Sequence, residues 1–235
     1  MGLEYIERNA EFIRRMCAET AREAGVPVPR IVAVTKSATA EEVAYLCNRC
    51  GQKEIAENRV SLFLERLALF APGQAPAIHL IGSLQTNKVK YITDKAYMIQ
   101  SLDSLHLAEE IEKQAVKKGV TVSALVEINS GREANKGGVN PEEAFDFAEA
   151  VRETAPHIRL SGLMTMGPVL EKEEEYTPYF RATKTIFDQM KQKGLFGEDA
   201  VLSMGMSNSF AAAIREGATM VRIGRAFFRK PLSEQ

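Results

Sequence analysis

A closed (β/α)8 barrel is the fold this sequence predicts, on three observations. Eight short apolar runs recur along the chain, each followed by an amphipathic stretch. Pro and Gly mark where those stretches start and stop. Polar residues gather just after the apolar runs, which alternation of parallel strands and helices would bring to one rim. An open doubly wound sheet is the alternative for such alternation, but no G-x-G-x-x-G follows the first run.

In order, an extra helix over about 2–24 opens the chain, with Ile6, Ala10, Ile13, Cys17 and Ala21 at helical spacing and Gly25 and Pro27 behind it. The predicted strands are 31–35, 53–56, 77–81, 96–100, 122–128, 158–163, 200–204 and 219–223. Predicted helices fall near 40–50, 59–70, 85–93, 104–118, 141–153, 175–193 and 207–216, with Pro141 in a first turn and Gly119, Gly194 and Gly217 at stops. The 235 residues, 45% hydrophobic, suffice for one large core, so residues 1–235 read as a single barrel domain.

A formal net charge of -1 gives no electrostatic reason to expect nucleic acid or a membrane surface as partner. No apolar run reaches the length of a membrane span, and the N-terminal stretch mixes charges into its apolar residues from the start, unlike a signal peptide. The expected location is cytoplasmic. Cys47 and Cys50 have CxxC spacing, but His79, His106 and His157 supply no matching ligand pair for a zinc. The expectation is therefore free thiols and no metal.

The rim carries the chemistry. The seventh strand ends in Ser203 and Met204, with Gly205 and Ser207 behind, and the eighth in Arg222, with Gly224 and Arg225 behind. Loops in those two places hold a phosphate in many barrels, and Ser207 is placed to cap the helix that follows. Lys36 follows a wholly apolar strand. There its stem is expected to be packed, its pKa lowered and its amine nucleophilic towards carbonyls. A phosphate site beside an inward lysine points to an aldehyde phosphate, and Arg222 to a partner for a ring nitrogen.

Ala33-Val34-Thr35-Lys36, Glu57-Asn58-Arg59, His79-Leu80-Ile81-Gly82, Leu84 through Lys88, Gly162 through Met166, Leu202 through Ser207 and Val221-Arg222-Ile223-Gly224 together resemble the YggS/PROSC family of pyridoxal phosphate homeostasis proteins. The resemblance implies a TIM barrel of fold-type III, like the N-terminal domain of alanine racemase. It implies pyridoxal 5'-phosphate (PLP) as a Schiff base on Lys36, Arg222 at the pyridine nitrogen, Asn58 beside the cofactor, and Ser203, Met204, Ser207, Gly224 and Arg225 around the phosphate. It implies storage and delivery of the cofactor in vitamin B6 balance, with no catalytic residues and PLP-dependent apo-enzymes as transient partners. Ala56, Ser209 and Arg225 depart from the family pattern, which usually has Gly, Asp and Thr there.

A weak PLP-dependent amino-acid racemase is the competing reading. Racemisation needs an acid–base group on each face of the substrate carbon. With the chain ending at Gln235, the domain that carries the second base in alanine racemases is expected to be absent, and a monomer is the expected state. Lys136 is a candidate second amine at the rim, His79 reads as a hydrogen-bonded barrel histidine, and Met164, Met166, Met204 and Met206 read as packing.

Overall fold

Apolar residues on one stripe make the first helix, α1 (Glu4–Ala24), amphipathic, and it buries Ile6, Ala10, Ile13, Cys17 and Ala21. Gly25 ends it at φ 67, the left-handed conformation that leaves a C-cap unstrained when the residue is glycine. The computed structural model describes residues 2–133 and 137–230. Lys136 lies outside them.

Next come β1 (Arg30–Val34), α2 (Ala40–Asn48), β2 (Glu54–Glu57), α3 (Val60–Leu67), β3 (Ala77–Leu80), α4 (Thr86–Val89), β4 (Met98–Leu102), α5 (Leu105–Lys118) and β5 (Val122–Ile128). The second half runs α6 (Ala144–Thr154), β6 (Ile158–Thr165), α7 (Thr177–Gln192), β7 (Val201–Ser203), α8 (Phe210–Arg215), β8 (Met220–Ile223) and α9 (Arg225–Phe228). Local signals account for several starts. Thr39 closes a capping box with Glu42 ahead of α2, and the Ser104 hydroxyl accepts from the Leu107 amide ahead of α5.

All eight predicted strands form, and each pairs in parallel with the next. The barrel closes where β1 meets β8, from Arg30 opposite Met220 to Ala33 opposite Ile223. Strand period two then sorts the side chains. Val32, Val34, Ala56, Met98, Leu125, Met164, Val201 and Met220 fill the inside of the barrel. The intervening residues, Ile55, Ile78, Leu80 and Val126 among them, join the larger core under the helices.

Gly162 permits one tight approach. It sits at φ 136, and a Cβ there would lie 1.9 Å from the Val201 carbonyl oxygen of β7. Two differences from expectation lie in the second half of the barrel, beside the loops after β7 and β8. Helix α8 begins at Phe210 rather than near 207, because the Ser209 hydroxyl takes the Met206 amide in the turn before it. And α9, a single turn, follows β8 directly. Helix α1 packs against it, with the Asn9 carboxamide donating to the carbonyls of Phe227 and Arg229, both at 3.0 Å.

Candidate functional site

At the C-terminal end of the barrel, the inward parity of each strand continues into the loops. Lys36 continues the inward series Val32 and Val34, and Asn58 continues Glu54 and Ala56. Lys36 itself is exposed. This corrects the expectation of a packed lysine stem. β1 ends at Val34, and a turn closed by the Ala38 amide on the Thr35 carbonyl (3.0 Å) lifts Lys36 clear of the core. The turn is held from behind: the Thr35 hydroxyl donates to Glu57 (2.6 Å), and Arg66 donates to Glu57 (3.1 Å) and to the Ala38 carbonyl (2.7 Å).

Asn58 is half-buried, and its buried carboxamide oxygen has no hydrogen-bond partner. Buried polar atoms are seldom left so, and one at a strand end facing the mouth is suited to a ligand. Its neighbour Gly82 lies so close to the Asn58 backbone that a Cβ there would be 2.3 Å from the Asn58 carbonyl oxygen.

The residues of β7 and β8 divide into two groups. Ser203, Met204 and Arg222 are buried inside the barrel wall. The Ser203 hydroxyl accepts from Arg222 and donates to Gln100, both at 2.7 Å, and the Met204 amide donates to the Met220 carbonyl at 3.1 Å. Ser203 and Met204 therefore stand apart from the rim. Ser207, Gly224 and Arg225 are at the rim, half-buried or exposed. Ser207 does not cap α8; its hydroxyl faces the Gly224 amide at 3.4 Å. In the single turn of α9 the Phe227 amide donates to the Gly224 carbonyl at 3.0 Å, while the Arg225 and Ala226 amides at its start have no intrahelical acceptor by position. Gly205, at φ 90, folds this loop onto α8; a Cβ there would lie 2.5 Å from the Ala213 side chain. A groove of about 970 Å³ has Ser37, Ser207, Arg225 and Arg229 on its walls, so the turn after β1 and the loops after β7 and β8 share one space.

Arg222 is a cation buried inside the barrel, on β8. Its guanidinium donates to Ser203 and to the Thr165 carbonyl (2.9 Å). Burial pushes its pKa down to about 10, against the attraction of Glu127. Glu127, inward on β5, is a site residue that the motifs of the sequence do not reveal. Burial and then the like charge of Asp103 push its carboxyl up to about 7, against Arg222. The alternation Ser123, Leu125, Glu127 inside an apolar strand is the signal that points to it. Below this layer, Gln100 bonds to His79 (2.9 Å) and His79 to Glu54 (3.1 Å).

The thiols offer no second site. Burial pushes Cys17 and Cys47 up to about 12, and Cys50 up as well. Among the described residues no group of three or more metal-ligating side chains forms, and no helix is long and apolar enough to cross a membrane.

These residues fit a phosphorylated pyridine aldehyde. An exposed primary amine after β1, an orphaned carboxamide oxygen after β2, a buried guanidinium on β8 and a glycine–serine pair in the loops after β7 and β8 are all present. Residues 3–230 match the family described as alanine racemase, N-terminal domain. The pyridoxal phosphate homeostasis protein of Aquifex aeolicus is 39% identical over 225 residues, covering 96% of each chain. A protein of Bifidobacterium adolescentis, described as unknown, superposes with a TM-score of 0.84 at 30% identity, over 96% of this chain and 95% of its own. PipY of Synechococcus elongatus, solved with PLP bound, shares the fold at a TM-score of 0.79 and 24% identity, over 95% of this chain and 100% of its own. The chain thus belongs to the alanine racemase N-terminal-domain family and, within it, to the pyridoxal phosphate homeostasis proteins.

Proposed function

We propose that this protein holds PLP reversibly on Lys36 and releases it to other proteins, without turning over a substrate. The observation that carries the reading is an exposed lysine just past the end of β1 with a buried arginine on the adjoining strand β8. PLP supplies an aldehyde that condenses with an amine, with loss of water, and a pyridine ring that serves as an electron sink when its nitrogen is protonated. Arg222 donates to neutral acceptors and stays protonated at neutral pH. Facing the ring nitrogen, it would hold that nitrogen as an acceptor, which weakens the ring as a sink.

Lys36, in an exposed turn, is open to water and to a second amine, so its bond to the cofactor forms and hydrolyses freely. Ser207, Gly224, Arg225 and the Arg225 and Ala226 amides at the start of α9 would hold the phosphate. Ser203 would act from below, through Arg222, and Met204 by packing the loop. Asn58 would face the cofactor from β2. PLP-dependent apo-enzymes are the recipients this chemistry suits, and a cytoplasmic monomer is the form expected to meet them.

Borohydride reduction of the PLP-loaded protein, followed by peptide mapping, tests the reading. Label on Lys36 alone is expected. Label elsewhere, or none, overturns it. Appreciable racemisation of an amino acid by the loaded protein would favour the enzyme reading instead.

A further inference from the structure

A line of hydrogen bonds crosses the barrel interior beneath the mouth. Arg222 donates to Ser203 (2.7 Å), Ser203 to Gln100 (2.7 Å), Gln100 to His79 Nδ1 (2.9 Å), and His79 Nε2 to Glu54 (3.1 Å). Arg30 clamps Glu54 from the far end with two bonds, at 2.9 and 2.6 Å. The six residues come from β8, β7, β4, β3, β2 and β1 in turn.

The direction of the line is determined chemically. Guanidinium groups only donate and carboxylates only accept. Met220 Sδ, an acceptor, lies 3.2 Å from Gln100 Nε2, which orients that carboxamide with its oxygen towards Ser203. Nδ1 of His79 therefore accepts, and its proton sits on Nε2, facing Glu54. Every bond between Arg222 and Glu54 then points down to the carboxylate, to which Arg30 donates from the other end.

We propose that Gln100 and His79 are positioning residues: with Ser203 they aim the Arg222 guanidinium at the ring of a cofactor in the mouth. The inference rests on the proposed reading of that mouth. A buried guanidinium needs acceptors, and a carboxylate in direct contact would outcompete a ring nitrogen for its N–H groups. In the observed arrangement a neutral hydroxyl and the Thr165 carbonyl hold two corners of Arg222, and the nearest ionised member of the line is several links away. The carboxylate polarises the line without drawing the guanidinium off its target. His79 is suited to a neutral link. It is fully buried, the Gln100 N–H faces its Nδ1, and the Tyr97 ring lies 5.1 Å from its own.

Three variants and one spectrum test this. In the unloaded protein, nitrogen NMR of His79 should show the neutral Nε2–H tautomer at neutral pH; an imidazolium, or the other tautomer, overturns the line. In the loaded protein, Gln100→Met and His79→Phe should change the visible absorption band and its pH profile, and should speed cofactor release about tenfold, the worth of one charge-assisted hydrogen bond. His79→Gln should restore both towards the parent, since a carboxamide can accept from Gln100 and donate to Glu54. Should His79→Phe not fold, Gln100→Met decides alone, being matched in length. A folded Gln100→Met with the parent's band, pH profile and release rate overturns the inference while leaving the proposed function intact. A parent that takes up no cofactor on Lys36 overturns both, and the His79 tautomer then stands as a structural fact only.

Discussion

Arg66 bonds to the Glu57 carboxylate at 3.1 Å and, with the same guanidinium, to the Ala38 carbonyl at 2.7 Å, so a buried ion pair behind β1 holds the turn that presents Lys36. Removing one partner of such a pair leaves an uncompensated buried charge. Arg66→Met is expected to cost about 3–5 kcal/mol of folding stability, read as a lower urea midpoint at unchanged slope. It should also loosen the turn and slow loading of Lys36. Unchanged stability would mean that the pair does not anchor the turn.

Glu127 sets a pH dependence. Its carboxyl titrates at about 7 in the folded chain against an ordinary 4.5. The folded state therefore holds this proton more tightly than the unfolded state. Stability from this group is full below about 4.5 and is lost as pH rises to about 7, on the order of 3 kcal/mol in all. His79 acts oppositely in part of that window, since burial pushes its pKa down against the pull of Glu54. The difference between Glu127→Gln and the parent isolates the carboxyl: the variant should gain stability relative to the parent as pH rises from roughly 5 to 8, as linkage requires. A flat difference curve refutes the assignment.

Glu54 governs the acid side. Burial pushes its carboxyl up, but hydrogen bonds from His79 and Arg30 outweigh this and hold it at about 2. Its contribution is present above the ordinary value of 4.5 and disappears as pH falls towards 2. Glu54→Gln should flatten the acid limb of a stability–pH curve; an unchanged limb would show that the carboxylate gains nothing from its partners.

Arg225 is exposed at the start of α9, at the position where the family pattern has threonine. Arg225→Thr is expected to weaken PLP retention about three- to fivefold at low salt, an exposed ion pair's worth, and to leave the absorption band of the bound cofactor unchanged. Retention insensitive to both substitution and salt would place the side chain away from the phosphate.

Gly205 holds φ 90 with no room for a Cβ against Ala213. Gly205→Ala should cost about 1–3 kcal/mol and displace the Ser207 loop, seen as a lower melting temperature together with weaker cofactor retention. A variant as stable and as retentive as the parent would show that the loop tolerates the change.

The chain order of strands, the extra first helix and the identity of the rim are legible in the residues alone. Apolar period two and helical period three to four are local properties, and β/α alternation leaves few ways to close. Lys36, Asn58, Ser207, Arg222 and Gly224 stand out because strand ends in a barrel converge. The depth of each is not legible. Lys36 is exposed because the turn after β1 is held by Arg66, from a helix further along the chain. Ser203 is a partner of Arg222 and Gln100, because burial depends on register across β7, β8 and β4.

The barrel and its family can be read from the residues alone, since both follow from periodicity and from short motifs along the chain. What each polar residue faces depends on how the strands are brought together. Closing eight strands brings Arg222, Ser203, Gln100, His79, Glu54 and Arg30 into one line, and residues so far apart in the chain meet only through the ring's closure and register.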